Sequence, residues 1–124
     1  MAEFAICRTC GKIIEIVKNG APDTVCCGKP MEVLVPGKSD GAAEKHVPVV
    51  TREGDRVLVN VGSVDHPMQD VHYIEWIALE TDRGITRKSL KPGEKPFAAF
   101  TLTDEKPVAV YAYCNLHGLW KTEL

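Results

Sequence analysis

The sequence predicts an all-β protein: an immunoglobulin-like antiparallel β-sandwich preceded by a small metal-binding module. Three observations predict it. Short runs rich in β-branched and aromatic residues recur beyond residue 46, separated by turn signals. No stretch carries the apolar period of a long amphipathic helix. All five cysteines and all four histidines fall into two groups, Cys7, Cys10, Cys26 and Cys27 in the first and His46, His66, His72, Cys114 and His117 in the second.

The elements follow in order. Lys12 to Lys18 is short, β-branched and closed by Asn19-Gly20, a strong turn signal. Met31 to Val35 reads as a second short strand, and the polar, turn-rich stretch Pro36 to Gly41 reads as a linker. The expected division is a module at 1–36 and a sandwich domain at 37–124. Residues 1–36 are too few to build a core, so the module needs a metal staple. Beyond the linker, strands are expected at Val47 to Thr51, Arg56 to Val61, Val71 to Glu80, Ile85 to Leu90, Phe97 to Thr103 and Val108 to Tyr113. Val57, Val59 and Val61 alternate onto one face.

Composition excludes several classes. The net charge is −2, so no basic field attracts nucleic acid or a membrane surface. No apolar run approaches the ~20 residues that span a bilayer. The first residues lack the charged start and long apolar stretch of a signal peptide, which points to the cytoplasm. Thiols stay reduced there, and an odd number of cysteines fits a disulfide framework poorly.

Two close cysteine pairs match a tetrahedral all-sulfur site for zinc or iron. A purely structural zinc knot is the plain alternative. A nucleic-acid-binding zinc ribbon lacks support, since only Arg8, Lys12, Lys18 and Lys29 are basic nearby. The pair Cys26-Cys27 is adjacent, and neighbouring side chains tend to point apart. Both can bind one metal only through an unusual local backbone. In the second group, four imidazoles and one thiolate would fill five positions around iron and leave one open, as a catalytic metal requires. A blue-copper electron carrier needs an axial methionine, and none follows His117.

These residues resemble the desulfoferrodoxin family, two-iron superoxide reductases. The matching stretches are Cys7-x-x-Cys10, Cys26-Cys27-Gly28-x-Pro30-Met31, Ser39-Asp40-Gly41 and Glu44-Lys45-His46-Val47-Pro48. They continue with Val61-Gly62-Ser63-Val64-x-His66-Pro67-Met68, His72-x-Ile74-Glu75-Trp76 and Cys114-Asn115-Leu116-His117-Gly118-x-Trp120. The resemblance implies a desulforedoxin-like module with iron on Cys7, Cys10, Cys26 and Cys27. It implies a second iron on equatorial His46, His66, His72 and His117 with Cys114 axial. The implied reaction is one-electron reduction of superoxide to hydrogen peroxide without dioxygen release, in a homodimer re-reduced by a donor such as rubredoxin. Lys45 is implied to attract superoxide, and Glu44 to occupy the sixth position of the oxidised iron. Tyr113, Trp76 and Trp120 read as packing residues. An electron-transfer protein without catalytic activity is the other class.

Overall fold

Alternation in Val57, Val59 and Val61 does what a period of two demands: all three are fully buried. The computed structural model describes residues 2–124 and contains antiparallel β-structure throughout, with one short helix among the described residues. It divides into two compact units, Met1–Val35 and Pro36–Leu124.

In the first unit the strands are β1 (Phe4–Ile6), β2 (Ile13–Glu15), β3 (Val25–Cys26), β4 (Lys29–Pro30) and β5 (Glu32–Val33). β1 is the centre of a sheet ordered β2-β1-β5, while β3 and β4 pair as a separate hairpin. Phe4, Ala5, Ile6, Cys7 and Leu34 are buried, a small core for a unit of this length. The expected strands at 12–18 and 31–35 shrink to β2 and β5. β1, β3 and β4 were not anticipated, because segments of two or three residues carry too little pattern to register.

The second unit opens with α1 (Ala43–His46), a single turn not anticipated from sequence. Its strands are β6 (Pro48–Glu53), β7 (Arg56–Val61), β8 (Ile74–Thr81), β9 (Gly84–Ser89), β10 (Phe97–Thr101), β11 (Pro107–Cys114) and β12 (Gly118–Glu123). One sheet runs β10-β7-β6 and the other β12-β11-β8-β9. Between them lie Val57, Val59 and Val61 from one sheet and Ile77, Leu79, Val110 and Ala112 from the other, with Phe100 and Leu102. Each buried side chain of this size contributes roughly 1.5–3 kcal/mol relative to exposure. β12 was missed, since Gly118-Leu119-Trp120-Lys121 shows little β-branching.

Register decides where a site can form. Pro48 pairs Val61, Cys114 pairs Ile74, and Cys114 also pairs Gly118. The start of β6, the end of β7, the start of β8, the end of β11 and the start of β12 therefore converge at one end of the sandwich. One expectation is corrected here. His72 does not lie within a strand: β8 begins at Ile74, and His72 forms an isolated bridge with Gln69. The apolar run from Val71 suggested a longer strand, but a reverse turn takes up its first residues.

Candidate metal centres

The four cysteines of the first unit come together on turns. Cys7 follows β1, and its carbonyl accepts the Gly11 N–H at 2.7 Å, closing the Cys-x-x-Cys loop. Cys26 ends β3 and pairs with Lys29, so Cys27-Gly28 is a two-residue hairpin loop. Both loop residues have positive φ, +52° and +76°, the signature of a type I′ turn. Cys27 is the one non-glycine residue with positive φ among the described residues, and this left-handed backbone lets adjacent thiols face one point.

The sulfur geometry fits a metal. All four Sγ atoms lie within 4.8 Å of one another. Cys10 and Cys26 sulfurs are 3.7 Å apart, and Cys26 and Cys27 sulfurs 4.0 Å. A tetrahedron with metal–sulfur bonds of ~2.3 Å has edges of ~3.8 Å. The electrostatics agree. The Cys10 backbone N–H above all brings the Cys7 thiol down to about 6. The hydrogen bond to Cys7, followed by that to Cys10, pushes Cys26 up to about 12. Cys27 is also raised, mainly by the sulfur of Cys10. One thiolate suppresses its neighbours, a conflict that a central cation removes.

The second cluster is built from distant segments. His46 closes α1, His66 lies beyond β7, His72 precedes β8, Cys114 ends β11 and His117 precedes β12. His46 and His66 are both 2 % exposed and Cys114 is fully buried. His46 Nδ1 donates to the Ala42 carbonyl at 2.7 Å, and His66 Nδ1 donates to the Pro67 carbonyl at 2.6 Å. A carbonyl only accepts, so both rings carry their proton on Nδ1 and turn a bare Nε2 inward. Those two Nε2 atoms are 3.1 Å apart, lone pair against lone pair. His72 Nε2 is buried without a partner. Burial brings His66 down to about 4 and lowers His46 and His72 as well. Neutral imidazoles with converging lone pairs are the donor set of a metal, and a buried cation would satisfy all three nitrogens.

The four rings form a square. Successive centroids are 4.5 Å apart for His46–His66, 4.7 Å for His66–His72, 5.2 Å for His72–His117 and 4.9 Å for His117–His46. The diagonal His46–His72 is 6.4 Å, longer than any side. Neighbouring rings are near perpendicular. Donor atoms of His46, His72, Cys114 and His117 all lie within 4.8 Å of one another, with His66 joined through His46. His117 turns Nδ1 toward the Cys114 sulfur at 4.0 Å. Burial pushes the Cys114 thiol up, opposed by the N–H groups of His117 and Leu116. An isolated thiolate is disfavoured here, again until a cation arrives.

Several residues that carried no role in the sequence hold this square. Ser39 Oγ donates to the His117 carbonyl at 2.7 Å, and Trp120 Nε1 donates to the same oxygen at 3.1 Å. Trp120 also stacks on His46, with centroids 4.9 Å apart. A Cβ on Gly41 would sit 2.9 Å from His117, and one on Gly62 would sit 2.7 Å from the Glu44 carbonyl. That carbonyl accepts from the Val64 N–H at 2.9 Å and from Ser63 Oγ at 3.2 Å, fixing α1. Glu75 is the extra residue of a bulge, opposite the step from Tyr113 to Cys114. Burial raises its carboxyl, and its charge in turn raises the Cys114 thiol. Ser39, Gly41, Gly62 and Glu75 all sit inside the motifs quoted above, but nothing local shows what they touch. Lys45 is exposed, and its positive charge helps lower His46 and His72. Glu44 is exposed beside it. Trp76 stacks on Tyr113 at 5.7 Å, as packing residues.

Comparison with known proteins gives the same reading. The desulfoferrodoxin family model matches residues 38–123, and the model of the desulfoferrodoxin N-terminal domain matches residues 4–34. A desulfoferrodoxin homolog from Archaeoglobus fulgidus is 50% identical over 116 residues, 94% of this chain and 92% of the relative. The crystal structure of the superoxide reductase from Treponema pallidum superposes with a TM-score of 0.83 at 35% identity, covering 99% of both chains. The one-iron superoxide reductase from Giardia intestinalis covers 65% of this chain and 99% of its own, with a TM-score of 0.56 and 35% identity. Both parts of the sequence and both donor clusters thus fall inside matched regions, and the chain belongs to the desulfoferrodoxin family.

Proposed function

We propose that this chain is a superoxide reductase that converts superoxide to hydrogen peroxide at the histidine–cysteine centre. The observation that carries this reading is the square of four imidazoles beside a buried thiol, with the bare Nε2 atoms of His46 and His66 turned inward and His72 Nε2 buried without a partner. His46, His66, His72 and His117 are the residues we assign to hold the metal from the square, with the Cys114 thiol as the fifth donor. Cys7, Cys10, Cys26 and Cys27 are assigned to a second iron. Iron held by these five residues would supply the single electron that the reaction needs.

The protein's own groups do the rest. Superoxide gains one electron and two protons to become hydrogen peroxide, so no dioxygen is produced. Lys45 draws the anion inward against a net charge of −2 and orders water for proton delivery. The Nδ1 bonds to the Ala42 and Pro67 carbonyls hold two rings in the tautomer that binds metal. Glu44, next to Lys45 in α1, is assigned as a carboxylate that would bind the oxidised metal. Glu44→Ala is expected to change the absorption of the oxidised protein, and an identical spectrum would remove it from that role.

The surrounding assignments belong to the same reading: a module at 1–36, a catalytic domain at 37–124, a cytoplasmic homodimer and a rubredoxin-like donor. No helix of the described residues is long and apolar enough to cross a membrane. The deciding experiment mixes reduced protein with superoxide and counts products. One peroxide per superoxide without dioxygen is expected. Decay no faster than with metal-free protein would leave an electron carrier.

A further inference from the structure

The ladder between β8 and β11 ends at the pair Ile74–Cys114. The peptide groups on either side of His72 are therefore left beyond the paired strands. Asn115 takes their place as partner. Its Oδ1 accepts the Tyr73 N–H at 3.0 Å, and its Nδ2 donates to the Val71 carbonyl at 3.0 Å. Its own N–H donates to the Tyr73 carbonyl at 3.3 Å. A carboxamide offers one acceptor edge and one donor edge, as a peptide group does. The side chain thus continues the ladder by one rung where the chain has turned away. Aspartate would keep the acceptor but lose the donor, and alanine would lose both.

We propose that Asn115 is a positioning residue that locks the Cys114 thiol against the His72 imidazole and so sets the electronic state of the centre. It adjoins Cys114, precedes His117 by two residues and grips the backbone on both sides of His72. This inference rests on the reading of that cluster as a metal centre. Outer partners of metal ligands typically carry 10–100-fold in metal affinity.

The test uses the full chain with Asn115→Ala and Asn115→Asp. Cobalt(II) titration of metal-free protein reads retention through the thiolate-to-metal absorption. The iron-loaded protein reads the thiolate-to-iron band and the reduction potential. Asn115→Ala is expected to weaken cobalt binding at the histidine–cysteine centre by at least about 10-fold and to shift the band and the potential. Asn115→Asp should fall between it and the parent. Absorption from the four-cysteine centre should not change. Unchanged cobalt affinity, band and potential in both variants overturn the proposal, even if the melting temperature drops. Should Asn115→Ala fail to fold, Asn115→Asp decides alone. A parent chain that binds cobalt but does not reduce superoxide would refute the enzyme reading while leaving this comparison intact.

Discussion

The two donor clusters reach the same end, a set of converging side chains that needs a cation, by opposite routes. The cysteine cluster is local: its two pairs sit in a Cys-x-x-Cys loop and a type I′ turn, joined by short strands around a small core. Cys10 and Cys27 are exposed. The histidine cluster draws on residues 46 to 117, lies at the end of a fully formed sandwich core, and buries His46, His66 and Cys114. Here the metal does not have to hold the domain together, because β-sheet packing already does. The contrast teaches that a metal can be a staple in one unit and a reagent in another. What separates them is whether the surrounding core is sufficient without it.

The largest effect that would break this contrast comes from Cys114→Ser. Superoxide reduction should fall at least ~100-fold, the upper end for losing even an outer partner of a ligand, while four-cysteine absorption persists. A retained rate would mean that the thiol is no part of the reactive centre. Lys45→Met comes next. The second-order rate with superoxide should drop by about 10-fold at low salt, and its salt dependence should flatten. An unchanged rate and salt slope would return Lys45 to the solvent.

Acid sharpens the comparison in the metal-free chain. His66 has a value of about 4 when folded against an ordinary 6.5, and His46 and His72 shift the same way. Between those values the unfolded chain binds more protons, so stability is full above 6.5 and is lost as pH falls toward 4. The sandwich domain should therefore melt lower at pH 5 than at pH 7.5, and equal melting temperatures would contradict neutral burial of these rings. The smallest expected effect is that of Cys27→Ser on turnover. It should abolish four-cysteine absorption yet leave superoxide reduction by pre-reduced protein unchanged. A slowed single turnover would show that the two centres are not separable in the chemical step.

Much of the site was legible because donors are rare residue types and the family motifs enclose all of them. The β-sandwich was legible through Val57, Val59 and Val61 and the turn signals, and the unusual backbone at Cys26-Cys27 followed from adjacency alone. Strands of two or three residues, the single turn α1 and the late strand β12 were not, since so few residues carry no period. His72 was misplaced in a strand because an apolar run looks alike whether it is paired or turning.

Sequence alone determined the donor inventory, the fold class and the need for an unusual backbone at Cys26-Cys27, because those depend on composition, spacing and backbone preference within a few residues. Only the tertiary structure decided that four rings form a square, that His46 and His66 turn Nε2 inward, and that Ser39, Gly41, Gly62 and Asn115 hold them there. The holds supplied by Ser39, Gly41 and Asn115 join residues tens of positions apart. Their geometry is set by strand register and close packing, which no local pattern encodes.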